Sequence, residues 1–255
     1  MNTKNLLIFL AVAVAMVWSF INGGYSALMP IFFLAGLVIA VCVGGWQVTR
    51  VTTTFLVLFL FFALGVAAVD EYAHTSAGTL VYFDHGIPSL LTVLGWGIFM
   101  PGILFIAGLL ERKTAFVSLT TIIVRYRYYR ILPVIITCSL IAAMVLVQGY
   151  AGMITPLLLL VYLVLTVCAG YYAYRQPLTW ILSLFIASVV VGGIMESGGA
   201  WEGLWYFHFN EPISLFILFS WPLRIWTVLG LCLLFGSDIR DQPELPDQGN
   251  ADISS

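Results

Sequence analysis

Long apolar blocks alternate with short polar interruptions along the whole chain. Eight such blocks stand at roughly 5–21, 29–47, 53–69, 88–110, 131–148, 155–173, 178–195 and 212–235. Each is long enough to cross a roughly 30 Å hydrocarbon core as a helix. Membrane-spanning strands would need alternating segments of about ten residues, and the chain has no such alternation. The pattern predicts an all-α, polytopic helical membrane protein of about eight transmembrane helices. The first block follows Lys4 and is too long for the apolar core of a signal peptide, so it reads as a retained span.

The blocks repeat. A shift of 125 positions pairs Gly24 with Gly149, Tyr25 with Tyr150, Gly45 with Gly170, Arg50 with Arg175 and Thr54 with Thr179. It also pairs Glu71 with Glu196, Gly78 with Gly203 and Trp96 with Trp221. A one-residue slip adds Pro30 with Pro156, Tyr82-Phe83 with Tyr206-Phe207, and Pro88 with Pro212. Matches that keep their order over a half-chain predict a tandem duplication of a four-helix unit. An even number of spans gives both copies the same orientation, related by an axis along the membrane normal. The expected division is a first repeat at 1–110, a cytoplasmic interfacial linker at 111–130, a second repeat at 131–236 and a disordered cytoplasmic tail at 237–255.

Charge sets the orientation. With Lys4 inside, nine of the ten basic residues fall on the inner side, and the tenth, Arg224, lies within a span. This bias predicts a multi-pass protein of the cell (inner or plasma) membrane with both termini cytoplasmic. The linker ends in RYRYYR and suits the cytoplasmic lipid surface, whereas the acidic, Pro-containing tail suits none. The composition agrees: 62% of residues are hydrophobic and 9% charged, against about 25% charged in a soluble domain. Cys42, Cys138, Cys168 and Cys232 all sit in apolar blocks, which leaves no disulfide framework and no C-x-x-C metal motif.

The two longer outer segments, 70–87 and 196–211, hold all three histidines and six of the twelve acids. Glu71 and Glu196 each close the third helix of a repeat. At the hydrocarbon boundary such carboxyls can act as a proton donor and acceptor pair, or stand as helix-end charges in outer water. Glu202 and His208 are placed to assist them. Arg224 lies near the middle of the last span; it either faces the interior with a carboxylate partner, Glu202 or Glu196, or snorkels where Pro222 bends the helix. Trp201, Trp205, Tyr206 and Tyr82 fit a substrate-lined mouth, and equally an interfacial aromatic belt. No metal is expected: His74, His85 and His208 supply the only alternative, and their spacing is permissive. No Walker loop, G-x-G-x-x-G after a strand or G-x-S-x-G elbow occurs, and no outer basic cluster would hold a charged sugar donor. No cofactor and no nucleic-acid partner are expected; the partners are membrane lipids and a lipophilic small molecule.

The run Glu196-SGGAWE-Gly203-Leu204-Trp205-Tyr206-Phe207 resembles the membrane-integral lycopene cyclase domain family, where an acid closes one span and a G-x-W-x-F-like run follows. The first copy, Glu71-Tyr72 followed by Gly78 and Tyr82-Phe83, is similar to membrane carotenoid hydratases. Pro212-Ile-Ser-Leu and Pro88-Ser-Leu-Leu stand where the cyclases carry Pro-Leu-Glu-Glu. The resemblance covers about 25 residues per half. It implies duplicated all-helical halves and an acid/base enzyme of cyclase, isomerase or hydratase type, acting on an isoprenoid or carotenoid-like substrate at the outer side of the membrane. Glu71, Glu196, Glu202, His208 and Arg224 would then be its catalytic residues. A transporter or channel with a pathway between the repeats, or a non-catalytic assembly subunit, are the alternatives.

Overall fold

A computed structural model describes residues 52–82, 90–111, 127–201, 203–209 and 213–238. The first two expected spans, most of the linker and nearly all of the tail lie outside them. The other six apolar blocks coincide with helices: α1 (Thr53–Ala77), α2 (Leu90–Glu111), α3 (Leu132–Val147), α4 (Pro156–Arg175), α5 (Leu178–Trp201) and α6 (Leu215–Leu234). Four of these, α1, α4, α5 and α6, are long and apolar enough to cross a membrane. Their starts have local causes. Thr52 and Thr155 cap α1 and α4, accepting hydrogen bonds from the Phe55 and Leu158 amides, and Pro156 occupies the first turn of α4.

The helices run further than the apolar pattern alone predicts. Asp70–Ala77 and Glu196–Trp201, expected as outer loop, continue α1 and α5. Gly198-Gly199, a pair suited to a turn, is carried inside α5, and the two helices end only at Gly78 and Gly203, which adopt left-handed φ of 72° and 70°. The closures match bond for bond. Gly78 N donates to Thr75 O and Thr79 N to His74 O; Gly203 N donates to Ala200 O and Leu204 N to Gly199 O. This is the Schellman pattern, in which the left-handed residue turns the last amides back onto free carbonyls.

Each turn leads into a three-residue strand, an addition to the all-helical expectation. β1 (Leu80–Tyr82) and β2 (Trp205–Phe207) pair antiparallel, with Leu80 opposite Phe207 and Tyr82 opposite Trp205. The strands stand 125 positions apart with no slip, so Phe207 and not Tyr206 occupies the place of Tyr82. Burial agrees: Tyr82 and Phe207 face inward, and Tyr206 is exposed.

α6 is the central helix, packed against α1, α3, α4 and α5. Pro222 lies inside it without ending it. The α4 contact depends on Gly230: a Cβ there would stand 2.7 Å from the Cys168 carbonyl oxygen. Small residues allow helices in lipid to approach this closely. Gly230→Ala is therefore expected to force α4 and α6 apart and cost about 1–3 kcal/mol, the usual penalty of overpacking. A lower melting temperature in detergent checks this; an unchanged one contradicts it.

Candidate functional site: a buried acid cluster

The last two turns of α1 carry Asp70, Glu71 and His74, all buried although ionisable. Polar groups sealed from water require partners: Glu71 and His74 find hydrogen bonds, and Asp70 an ion pair, on neighbouring elements. Trp96 of α2 donates from Nε1 to Glu71 Oε1 at 3.2 Å, and the Tyr82 hydroxyl of β1 donates to Glu71 Oε2. On the other side, Trp221 of α6 donates from Nε1 to Glu196 Oε1 of α5 at 2.9 Å. Each glutamate thus takes the indole 25 residues beyond it. The two indoles meet with ring centroids 4.9 Å apart.

Arg224 of α6 reaches both α1 and α5. Its side chain is 1% exposed, with Nη2 2.6 Å from Asp70 Oδ2 and Nη1 3.8 Å from Glu196 Oε1. Its guanidinium carbon lies 4.9 Å from the Trp96 ring and 5.2 Å from the Trp221 ring, within cation–π range. The interior placement of Arg224 therefore holds, and the snorkelling alternative does not. Among the described residues its nearest carboxylate is Asp70, with Glu196 second; Glu202 lies outside them.

His74 extends the cluster toward α4. The Thr79 hydroxyl donates to the His74 carbonyl at 3.0 Å, so its oxygen accepts from His74 Nδ1 at 2.8 Å. That leaves the Nε2 lone pair to accept from the Tyr162 hydroxyl at 3.2 Å, with Asp70 Oδ1 at 3.9 Å. Both ring nitrogens are thus engaged, and among the described residues no group of side chains is arranged to hold a metal. His85 lies outside them.

The remaining expected residues divide. Tyr82 belongs to the cluster through Glu71. Trp205 is buried edge-on to Tyr82 at 6.0 Å, and its ring occupies the space a side chain at Gly199 would need. His208 is exposed, its ring against Phe209, and Tyr206 is 48% exposed, so neither touches the acids. Trp201 ends α5 and its side chain is not described. Trp96, Trp221 and Tyr162 are the cluster members not selected from sequence as site residues; Asp70, a possible metal ligand beside the histidines by sequence, instead pairs with Arg224. The signal for the two tryptophans was their match under the 125-residue shift.

Tyr82 lies beyond the end of α1, and burial, then the facing Glu71 carboxylate, push its phenol well above the ordinary value of 10. The folded state therefore holds this proton after an unfolded chain has lost it. Its contribution to stability is complete below about pH 10 and declines above that as the unfolded phenol ionises. Unfolding curves should show the stability gap between wild type and Tyr82→Phe narrowing above that pH; a gap that widens there contradicts the assignment.

Compared with family models, curated proteins and solved structures, the chain matches none.

Proposed function

We propose that the chain is a polytopic membrane enzyme that protonates and deprotonates a lipophilic, isoprenoid or carotenoid-like substrate at the Glu71–Glu196 cluster. The observation that carries the proposal is the pair of repeat-matched acids, each bonded to its own indole, with both indoles against one buried arginine. Asp70, Glu71 and Glu196 have a single guanidinium among them, so a water-poor site favours holding protons within the group. Such protons are available for transfer, and the faces of Trp96 and Trp221 can stabilise cationic character developing in a polyene.

The membrane setting is supported by the surface as well as by length. α4 exposes Leu159, Leu160, Leu163, Val164 and Val167, a continuous apolar face suited to lipid. A tandem duplication is supported by the paired Schellman turns, the strands at matching positions and the two Glu–Trp bonds of equal spacing. Eight spans, with both termini cytoplasmic, remain the arrangement that the apolar blocks and basic residues favour. In this assignment His208 and Tyr206 have no direct part, whereas Asp70 holds Arg224.

The reaction is tested with the purified full chain in liposomes containing linear polyene isoprenoids, with products separated by chromatography. Cyclised, hydrated or isomerised product should form with wild type and vanish with Glu196→Gln. Equal product from both would contradict the proposal. Solute flux through the same liposomes, with no polyene product from wild type, would favour a transporter instead.

A further inference from the structure

The two acid positions differ, and three side chains make the difference. Glu71 has both carboxyl oxygens engaged, Oε1 by Trp96 and Oε2 by Tyr82. Glu196 receives Trp221 on Oε1, and no described side chain donates to its Oε2. The place of Tyr82 in the second ribbon strand is taken by Phe207, buried at the same register position but without a hydroxyl. Two charges likewise have no counterpart 125 positions away. The residue 125 positions before Arg224 is Phe99, and the residue 125 positions after Asp70 is Met195. Arg224 therefore stands beside Glu196, while Asp70 secures its other nitrogen at 2.6 Å.

These substitutions have opposite consequences for a proton. Each carboxylate oxygen has two lone pairs, so one donor on each still leaves room for a proton, but two donors favour the anion and leave neither oxygen wholly free to face a substrate. A carboxyl with one undonated oxygen keeps that oxygen free to hold a proton and pass it on. We infer that the duplicated acids have diverged: Glu196 is the carboxyl that gives and takes the proton, and Glu71, locked by Tyr82 and Trp96, is a positioning residue that sets Trp96 against Trp221 and Arg224.

This division of labour rests on the acid/base reading proposed above. In the transfer, the Glu196 Oε2–H bond breaks as a substrate carbon takes the proton, and the carboxylate forms beside Arg224 Nη1. Loss of a proton from a neighbouring carbon returns it to Oε2 and restores the acid, so no oxidant or other co-reactant is needed. Among the described residues, the charged and titratable groups that act on Glu196 or feel it are Arg224 from α6, Asp70 and Glu71 from α1, Tyr82 from β1 and Tyr162 from α4.

The test is pH-difference infrared spectroscopy of the full chain in lipid nanodiscs, reading the carbonyl stretch of protonated carboxyls. A titrating band should be present in wild type, persist in Glu71→Gln and disappear in Glu196→Gln. Tyr82→Phe combined with Glu196→Gln should restore a band, because it frees Glu71 Oε2. Glu196→Asp keeps a carboxyl and should shift the band, which covers the case of a glutamine variant that does not fold. Loss of the band in Glu71→Gln with retention in Glu196→Gln, or a band unmoved by Glu196→Asp, overturns the division while leaving the acid/base reading intact. A wild type without any titrating carboxyl band overturns both.

Discussion

Arg224→Leu should abolish the accumulation of well-folded protein, or lower its stability by about 3–5 kcal/mol, the usual cost of removing one partner from a buried ion pair. The guanidinium contacts Asp70 and approaches Glu196, and it lies over both Trp96 and Trp221. Leucine fills part of the space but leaves Asp70 buried and unbalanced. The size of the effect follows from that orphaned charge more than from the lost contact. Removing Asp70 as well therefore ought to recover stability: Asp70→Leu with Arg224→Leu should be more stable than Arg224→Leu alone. Melting in detergent, with size-exclusion profiles of the same samples, reads both outcomes. If Arg224→Leu melts like wild type, Arg224 does not hold the cluster together.

Glu196→Gln is the substitution expected to cost most in turnover. Glutamine has nearly the same shape, and its amide oxygen can still accept from Trp221 Nε1, so the packing at α5 and α6 is preserved. What it cannot do is release and recover a proton. General acid–base contributions from one side chain are roughly 100- to 10,000-fold, and the rate should fall within that range. Glu71→Gln should slow the reaction less, because Glu71 is already committed to Tyr82 and Trp96. Initial rates of product formation distinguish the two variants. Equal losses would mean that the acids work as one unit.

Much of this site was legible before any coordinates, because residues matched 125 positions apart single one another out. Glu71 and Glu196 stood out because the same shift that matched apolar blocks also matched two acids. Arg224 stood out because a charge deep in a span is costly. Asp70 was harder: in DEYAHTSA it reads as the beginning of a wet segment, since polarity rises there. The helix in fact continues to Ala77 and turns Asp70 inward onto Arg224. Trp96 and Trp221 matched in sequence, but a tryptophan within an apolar block is indistinguishable from core. Tyr162 had no signal, because it lies among leucines and valines and gains its role from His74, 88 positions away. The ribbon escaped for want of length, three residues being too few to establish a period of two. Phe207 is the instructive case. A slip in matching paired Tyr82 with Tyr206 and hid the missing hydroxyl that distinguishes the two acids.

The central claim, proton exchange between the buried cluster and a lipophilic substrate, is tested most directly by solvent deuterium. The full chain in liposomes prepared in D₂O, with a linear polyene dissolved in the bilayer, should place deuterium on carbon in product or recovered substrate. Mass spectrometry locates the label. Incorporation by wild type and its loss in Glu196→Gln is the predicted result. A polyene converted without solvent deuterium, or labelled equally by Glu196→Gln, would contradict the account.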